Sequence, residues 1–158
     1  MPSTVQAATG RVEIDGLLTG ARWIGPVNYG FPDSPSDYPA GYGDEPTNGF
    51  FAISTYQQDV VRYAFSLVES YTNLSFTYAG TVDSDIAFGQ TSLADTAYAS
   101  YPDAPRGGDV WCGNDFRNPR VGDYAFLTHL HEIGHALGLK HPHETDGWIG
   151  TLLPAQYD

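Results

Sequence analysis

Cross-linking and basic residues are scarce in this chain: its 158 residues include one cysteine, Cys112, one methionine, Met1, and one lysine, Lys140. A single cysteine excludes an internal disulfide framework and any multi-cysteine zinc cluster within the chain. Seven Lys and Arg stand against nineteen Asp and Glu, a formal charge of −12. Binding nucleic acid through its phosphates, or docking on an anionic membrane, needs the opposite balance, so neither is expected. The acidity reads as solubility, with a preference for cationic partners or metal ions. No apolar run approaches a membrane span, and the first residues form no basic segment followed by an apolar one, so no cleavable signal is visible.

What the chain does have is glycine, proline and aromatics. Eighteen Gly and eleven Pro, spread without a period, argue for many turns between short elements and against an all-helical bundle. Three Trp, eleven Tyr and eight Phe supply the large apolar surfaces of a packed core. The length suits one domain, and no internal repeat is present.

Local patterns give a mixed order. Arg11 to Gly20 reads as a lead-in, and Val27, Tyr29 and Phe31 alternate as a strand that Pro32 ends. Pro32 to Gly49, rich in turn residues, reads as a long surface loop. Ser54 or Thr55, with Gln57 or Gln58 three residues on, forms a capping box for a helix over Thr55 to Tyr71, whose Val61, Ala64, Phe65 and Val68 repeat at helical spacing. Leu74, Phe76 and Tyr78 alternate with Ser75 and Thr77, and Ile86 and Phe88 with Asp85 and Ala87, which predicts two strands; Thr96 to Tyr101 is a weaker one and Val110-Trp111-Cys112 a short last one. Asp123 then caps a helix with Phe126, Leu130, Ile133 and Leu137 along one face. The order predicts an α+β (mixed α/β) class, one sheet with two helices packed on it.

That second helix carries His131-Glu132-Ile133-Gly134-His135-Ala136-Leu137-Gly138-Leu139-Lys140-His141. His131 and His135 stand one turn apart, so both imidazoles leave the same face and can bind one ion. Zinc suits them, because a catalytic zinc takes three protein ligands and keeps a fourth position for water. A sharp turn at Gly138 lets the chain swing back so that His141 becomes the third ligand, and Pro142 stops the helix from resuming. Glu132, about 100° round the helix from His131, can reach a water on the ion without binding the ion itself. Zinc, water and a carboxylate in this order point to metal-assisted amide hydrolysis, with Glu132 as general base. His129 reads as a packing or surface residue, and His143 as an exposed loop residue. Cys112 reads as a free thiol at a strand end.

The eleven-residue stretch resembles the zinc signature of the metzincin metallopeptidases, and the run from Leu127 through Pro142 is most similar to the serralysin family. Leu17 to Trp23, Tyr29-Gly30-Phe31-Pro32, Gln57-Gln58-Asp59-Val60 and Gly108-Asp109-Val110-Trp111 also resemble the serralysin catalytic domain, so the likeness runs from about Ile14 onward. It implies a metzincin-like zincin with a twisted five-stranded mixed sheet and two helices. It also implies an edge strand on which Ala97, Tyr98 and Ala99 offer backbone partners to an extended substrate. Matrixins are the nearest alternative relatives, but Trp111 stands where a structural-zinc histidine tends to follow Gly108-Asp109-Val110.

Two family features are not found: a methionine turn beneath the zinc, and the tyrosine that follows it. Met1 is the only methionine, and Tyr157 has none before it at the right spacing. The expectation is therefore a lead-in over 1–13 and, over 14–158, the N-terminal subdomain of a metallopeptidase catalytic domain that ends before the Met-turn and lacks the C-terminal subdomain. By the same resemblance the protein is secreted, acts on protein or peptide substrates, and has Ca2+ only in C-terminal repeats absent from this chain. A downstream segment, or a second chain carrying the Met-turn, is expected to be needed for full activity. The alternative is a zinc-stabilised peptide-binding or inhibitory module without turnover.

Overall fold

A computed structural model describes residues 3–103, 106–145 and 147–153. Met1 and Tyr157 lie outside the described residues, as does most of the ending read as the approach to a Met-turn. In chain order the elements are β1 (Ser3–Val5), α1 (Val12–Asp15), β2 (Ala21–Trp23), β3 (Val27–Gly30), β4 (Phe51–Ala52), α2 (Thr55–Tyr71), β5 (Phe76–Gly80), β6 (Ile86–Gln90), β7 (Ala97–Ala99), β8 (Val110–Cys112) and α3 (Tyr124–Ala136).

Both long helices start where their caps place them. The Ser54 hydroxyl accepts from the Gln57 N–H at 3.2 Å, while Gln57 Oε1 accepts from the Ser54 N–H at 2.8 Å, a reciprocal box that satisfies two otherwise orphaned donors. At α3, Asp123 Oδ1 accepts from the Phe126 N–H at 2.8 Å. Val61, Ala64 and Phe65 of α2 and Ile133 and Ala136 of α3 are buried in one aromatic-rich core beneath the sheet.

The main sheet runs β5-β3-β6-β8-β7. β3 lies parallel to β5 and β6, β6 lies parallel to β8, and β7 closes the path antiparallel to β8. The five expected strands form this path, and a sixth, the two-residue β4, pairs antiparallel with β6. β1 and β2 form a separate two-stranded ribbon, which puts a strand inside the expected lead-in. β1 and β4 are three and two residues long and carry no alternating pattern that sequence could reveal.

Three expectations need correction. β5 begins two residues later than Leu74. β6 does not alternate between core and solvent: all five of its residues are buried, because helices cover one face and the Pro32 to Gly49 segment covers the other. That segment is therefore no bare surface loop. Tyr38 stacks on Trp111 at 4.9 Å between ring centroids, and with Tyr42 it forms a second apolar cluster around Ala87 and Trp111.

Candidate metal centre

Helix α3 presents His131 and His135 one turn apart, with their Nε2 atoms 3.0 Å from each other. The helix then ends sharply. Gly138 has φ +104°, and a Cβ there would collide with the Ala21 carbonyl oxygen, so only glycine fits this turn. Trp23 Nε1 donates to the Ala136 carbonyl at 2.9 Å, satisfying one of the acceptors that the helix end leaves open.

The next residues are gripped by the start of the chain. Leu139 and Leu18 form an antiparallel bridge, in which the Lys140 N–H donates to the Leu17 carbonyl at 2.9 Å and the Thr19 N–H to the Gly138 carbonyl at 3.0 Å. This pairing carries His141 back over the helix, where its Nε2 lies 2.9 Å from Nε2 of His131. The three expected histidines thus converge on one point.

Their outer nitrogens define the tautomers. His135 Nδ1 lies 2.8 Å from the Leu139 carbonyl and His141 Nδ1 lies 2.8 Å from Glu144 Oε1; both partners only accept, so both Nδ1 atoms carry the proton. The Nε2 lone pairs of His135 and His141 are left facing the same small volume as Nε2 of His131. Facing lone pairs repel unless a cation lies among them, and three neutral imidazoles are the donor set that a zinc ion takes. His143 is exposed, with its ring parallel to that of His141 at 5.4 Å. His141, His143 and Glu144 also lie close enough to share an ion, but Nδ1 of His141 is already engaged by Glu144.

Glu132 is buried and, with Ala97, Ala99, His131, His135 and His141, lines a cleft of about 590 Å³. Burial pushes its carboxyl up to about 7, while His141 and the Ala99 backbone N–H pull it back. Strand β7 forms the opposite wall at the end of the sheet path. Its bonds to the rest of the sheet run through Thr96, whose carbonyl accepts from Gly113, and Ser100, which pairs with Asp109 and Gly108. By the two-residue alternation of an antiparallel ladder, the backbone groups of Ala97 and Ala99 point away from β8, the Ala99 N–H toward Glu132, and those of Tyr98 face β8.

His129 is fully buried behind the site. Its Nδ1 donates to the Ala125 carbonyl at 2.7 Å, and its Nε2 faces Gln57 Nε2 at 3.4 Å and Cys112 Sγ at 3.7 Å. Burial lowers its pKa, so it packs as a neutral ring. Cys112 is free and buried, its thiol pushed up to about 12 by burial.

Two residues went unread in the sequence. Lys140 is buried, and its ammonium donates to the carbonyls of Gly16 at 3.0 Å, Glu144 at 2.5 Å and Thr151 at 2.8 Å. Glu144 accepts from the His141 ring. The available signal was a lone lysine beside the third histidine, and a carboxylate three residues after it.

No family model matches the chain. Among curated proteins it is similar to Serralysin B of Dickeya chrysanthemi, with 33% identity over 98 residues that cover 60% of this chain and 20% of that protein. Serralysin C of the same organism is 45% identical over 58 residues, covering 34% of this chain and 12% of the relative. Serralysin of Proteus mirabilis is 26% identical over 140 residues, covering 73% of this chain and 27% of the relative. The chain spans roughly a quarter or less of the length of these relatives. The likeness read from the histidine signature and the relatives found by comparison therefore agree: this chain is serralysin-like.

Proposed function

We propose that the chain forms the zinc-binding lobe of an endopeptidase, with His131, His135 and His141 as ligands and Glu132 as general base. One observation carries this reading. Three Nε2 atoms converge in a cleft that a buried carboxylate, Glu132, also lines, across from the edge strand β7. Zinc held by these histidines would supply a water of pKa about 7 and a Lewis acid for the scissile carbonyl. Glu132, whose carboxyl burial raises to about 7, would accept a proton from an attacking water and return it to the leaving amine. The edge strand Ala97-Tyr98-Ala99 pairs with an extended peptide as an added antiparallel strand, through the Ala97 backbone and the Ala99 carbonyl. The serralysin names of the relatives support the same chemistry, a metzincin-like fold and secretion.

Residues 14–158 serve as the N-terminal subdomain in this reading, and a downstream segment or partner chain completes the cleft. An apolar recess of about 290 Å³ beside the ligands, lined by Leu17, Leu130, Leu139 and Pro142, supports it. The test is zinc content together with cleavage of an unstructured peptide. One zinc per chain is expected, with weak turnover by the chain alone, stronger turnover once the downstream polypeptide is added, and none in Glu132→Ala, which keeps its zinc. Vigorous cleavage by the chain alone, abolished by Glu132→Ala, would refute the need for a downstream part. A peptide held uncleaved with all parts present would make the chain a binding module.

A further inference from the structure

Glu144 lies outside the histidine signature, yet its carboxylate meets the third ligand from behind. Oε1 is 2.8 Å from Nδ1 of His141, and Oε2 is 3.4 Å from the His141 backbone N–H. The Tyr101 hydroxyl reaches the same Oε2 at 3.5 Å while its ring meets the edge of His135. The loop that presents this carboxylate is fixed twice: the Glu144 N–H donates to the His141 carbonyl at 3.1 Å, and the Glu144 carbonyl accepts from the buried Lys140 ammonium. The His141 and Glu144 side chains remain 35% and 29% exposed, where an ion pair adds little to folding stability. Such geometry without a stability return points to a role on the ring itself.

We propose that Glu144 is a positioning residue of the metal centre. It holds His141 in the Nδ1–H tautomer, so that the Nε2 lone pair faces the other two histidines, and its negative charge makes that imidazole a stronger donor. His135 receives only a neutral carbonyl in the same place, so the two ligands differ in donor strength. The inference rests on the zinc reading for its purpose, but its geometry belongs to the chain itself.

The test uses the full chain in two measurements. Long-range 1H–15N NMR of the metal-free protein at about pH 8, above the usual histidine pKa, should show His141 as Nδ1–H in the wild type and as a mixture in Glu144→Ala. Zinc affinity by chelator competition should fall about 10–100-fold in Glu144→Ala. Glu144→Gln, which keeps an acceptor and loses the charge, should keep the tautomer and lose less affinity than Glu144→Ala. An unchanged tautomer in Glu144→Ala, or zinc affinity within twofold of wild type, overturns the proposal. If Glu144→Ala fails to give the wild-type melting transition, Glu144→Gln decides: affinity equal to wild type removes the role assigned to the charge. A wild type that binds no zinc would refute the metal centre, while the tautomer measurement would still judge Glu144.

Discussion

Asp109 shows what a single buried carboxyl does to this fold. It accepts from the Tyr42 hydroxyl at 2.7 Å and from the Ala87 N–H at 2.8 Å, and it joins the aromatic cover to β6. Burial pushes its pKa up to about 7, outweighing the Tyr42 and Ala87 hydrogen bonds and Arg106, while Glu45 adds to the rise. An unfolded aspartate titrates near 3.9, so between about 4 and 7 the folded chain binds more protons than the unfolded one. Stability must then fall as pH rises through that window, and the loss is complete above it. Asp109→Asn removes this titration. The melting temperature of the variant minus that of the wild type should therefore increase from pH 5 to pH 8; parallel pH profiles would show that Asp109 is ionised throughout.

At the scale of the element, α3 and its ending decide the site, and two of its glycines respond oppositely to a methyl group. A Cβ at Gly138 meets the Ala21 carbonyl at a backbone angle that L residues rarely adopt, so Gly138→Ala should cost about 1–3 kcal/mol and displace His141. At Gly134, inside the helix, a Cβ meets only Leu139 Cδ1 at 3.7 Å, so Gly134→Ala should stabilise by about 0.5–1 kcal/mol. Urea unfolding of both metal-free variants checks the signs, and zinc titration should show a weaker centre only in Gly138→Ala. The sequence made this contrast half legible. The capping box of α2, the Asp123 cap and apolar stripe of α3 and the turn at Gly138 are local signals, each contained within a few residues, and they were readable for that reason. The Leu18–Leu139 bridge, the burial of β6 on both faces and the folding of Tyr38 and Tyr42 onto Trp111 join distant segments. No periodicity encodes such pairings. Glu144 was missed on similar grounds, because its value depends on where the loop returns.

Across the whole molecule, the convergence of the three histidines depends on the N-terminal segment as much as on α3. Thr19 lies at the junction: its hydroxyl donates to the Gly138 carbonyl at 2.9 Å, and its own carbonyl accepts from Trp148 and Ile149. Three bases of the ligand loop, Leu17, Thr19 and Gly16 through Lys140, come from before residue 20. A chain starting at Leu17 loses the Gly16 carbonyl and helix α1. It should melt at a lower temperature than the full chain and surrender zinc to a chelator faster; equal release rates would show that the N-terminal grip does not control His141.

The Lys140 to Gly16 contact spans 124 residues and the Thr19 to Gly138 contact 119. Loops of that size close late and slowly, after local helices have formed. During synthesis the opening segment leaves the ribosome long before its partner does. His131 and His135 can share an ion as soon as α3 forms, whereas His141 joins them only when the first and last parts of this chain have met. On the zinc reading proposed above, full metal loading would report on completed folding, and a chain caught partway would offer the ion two ligands instead of three.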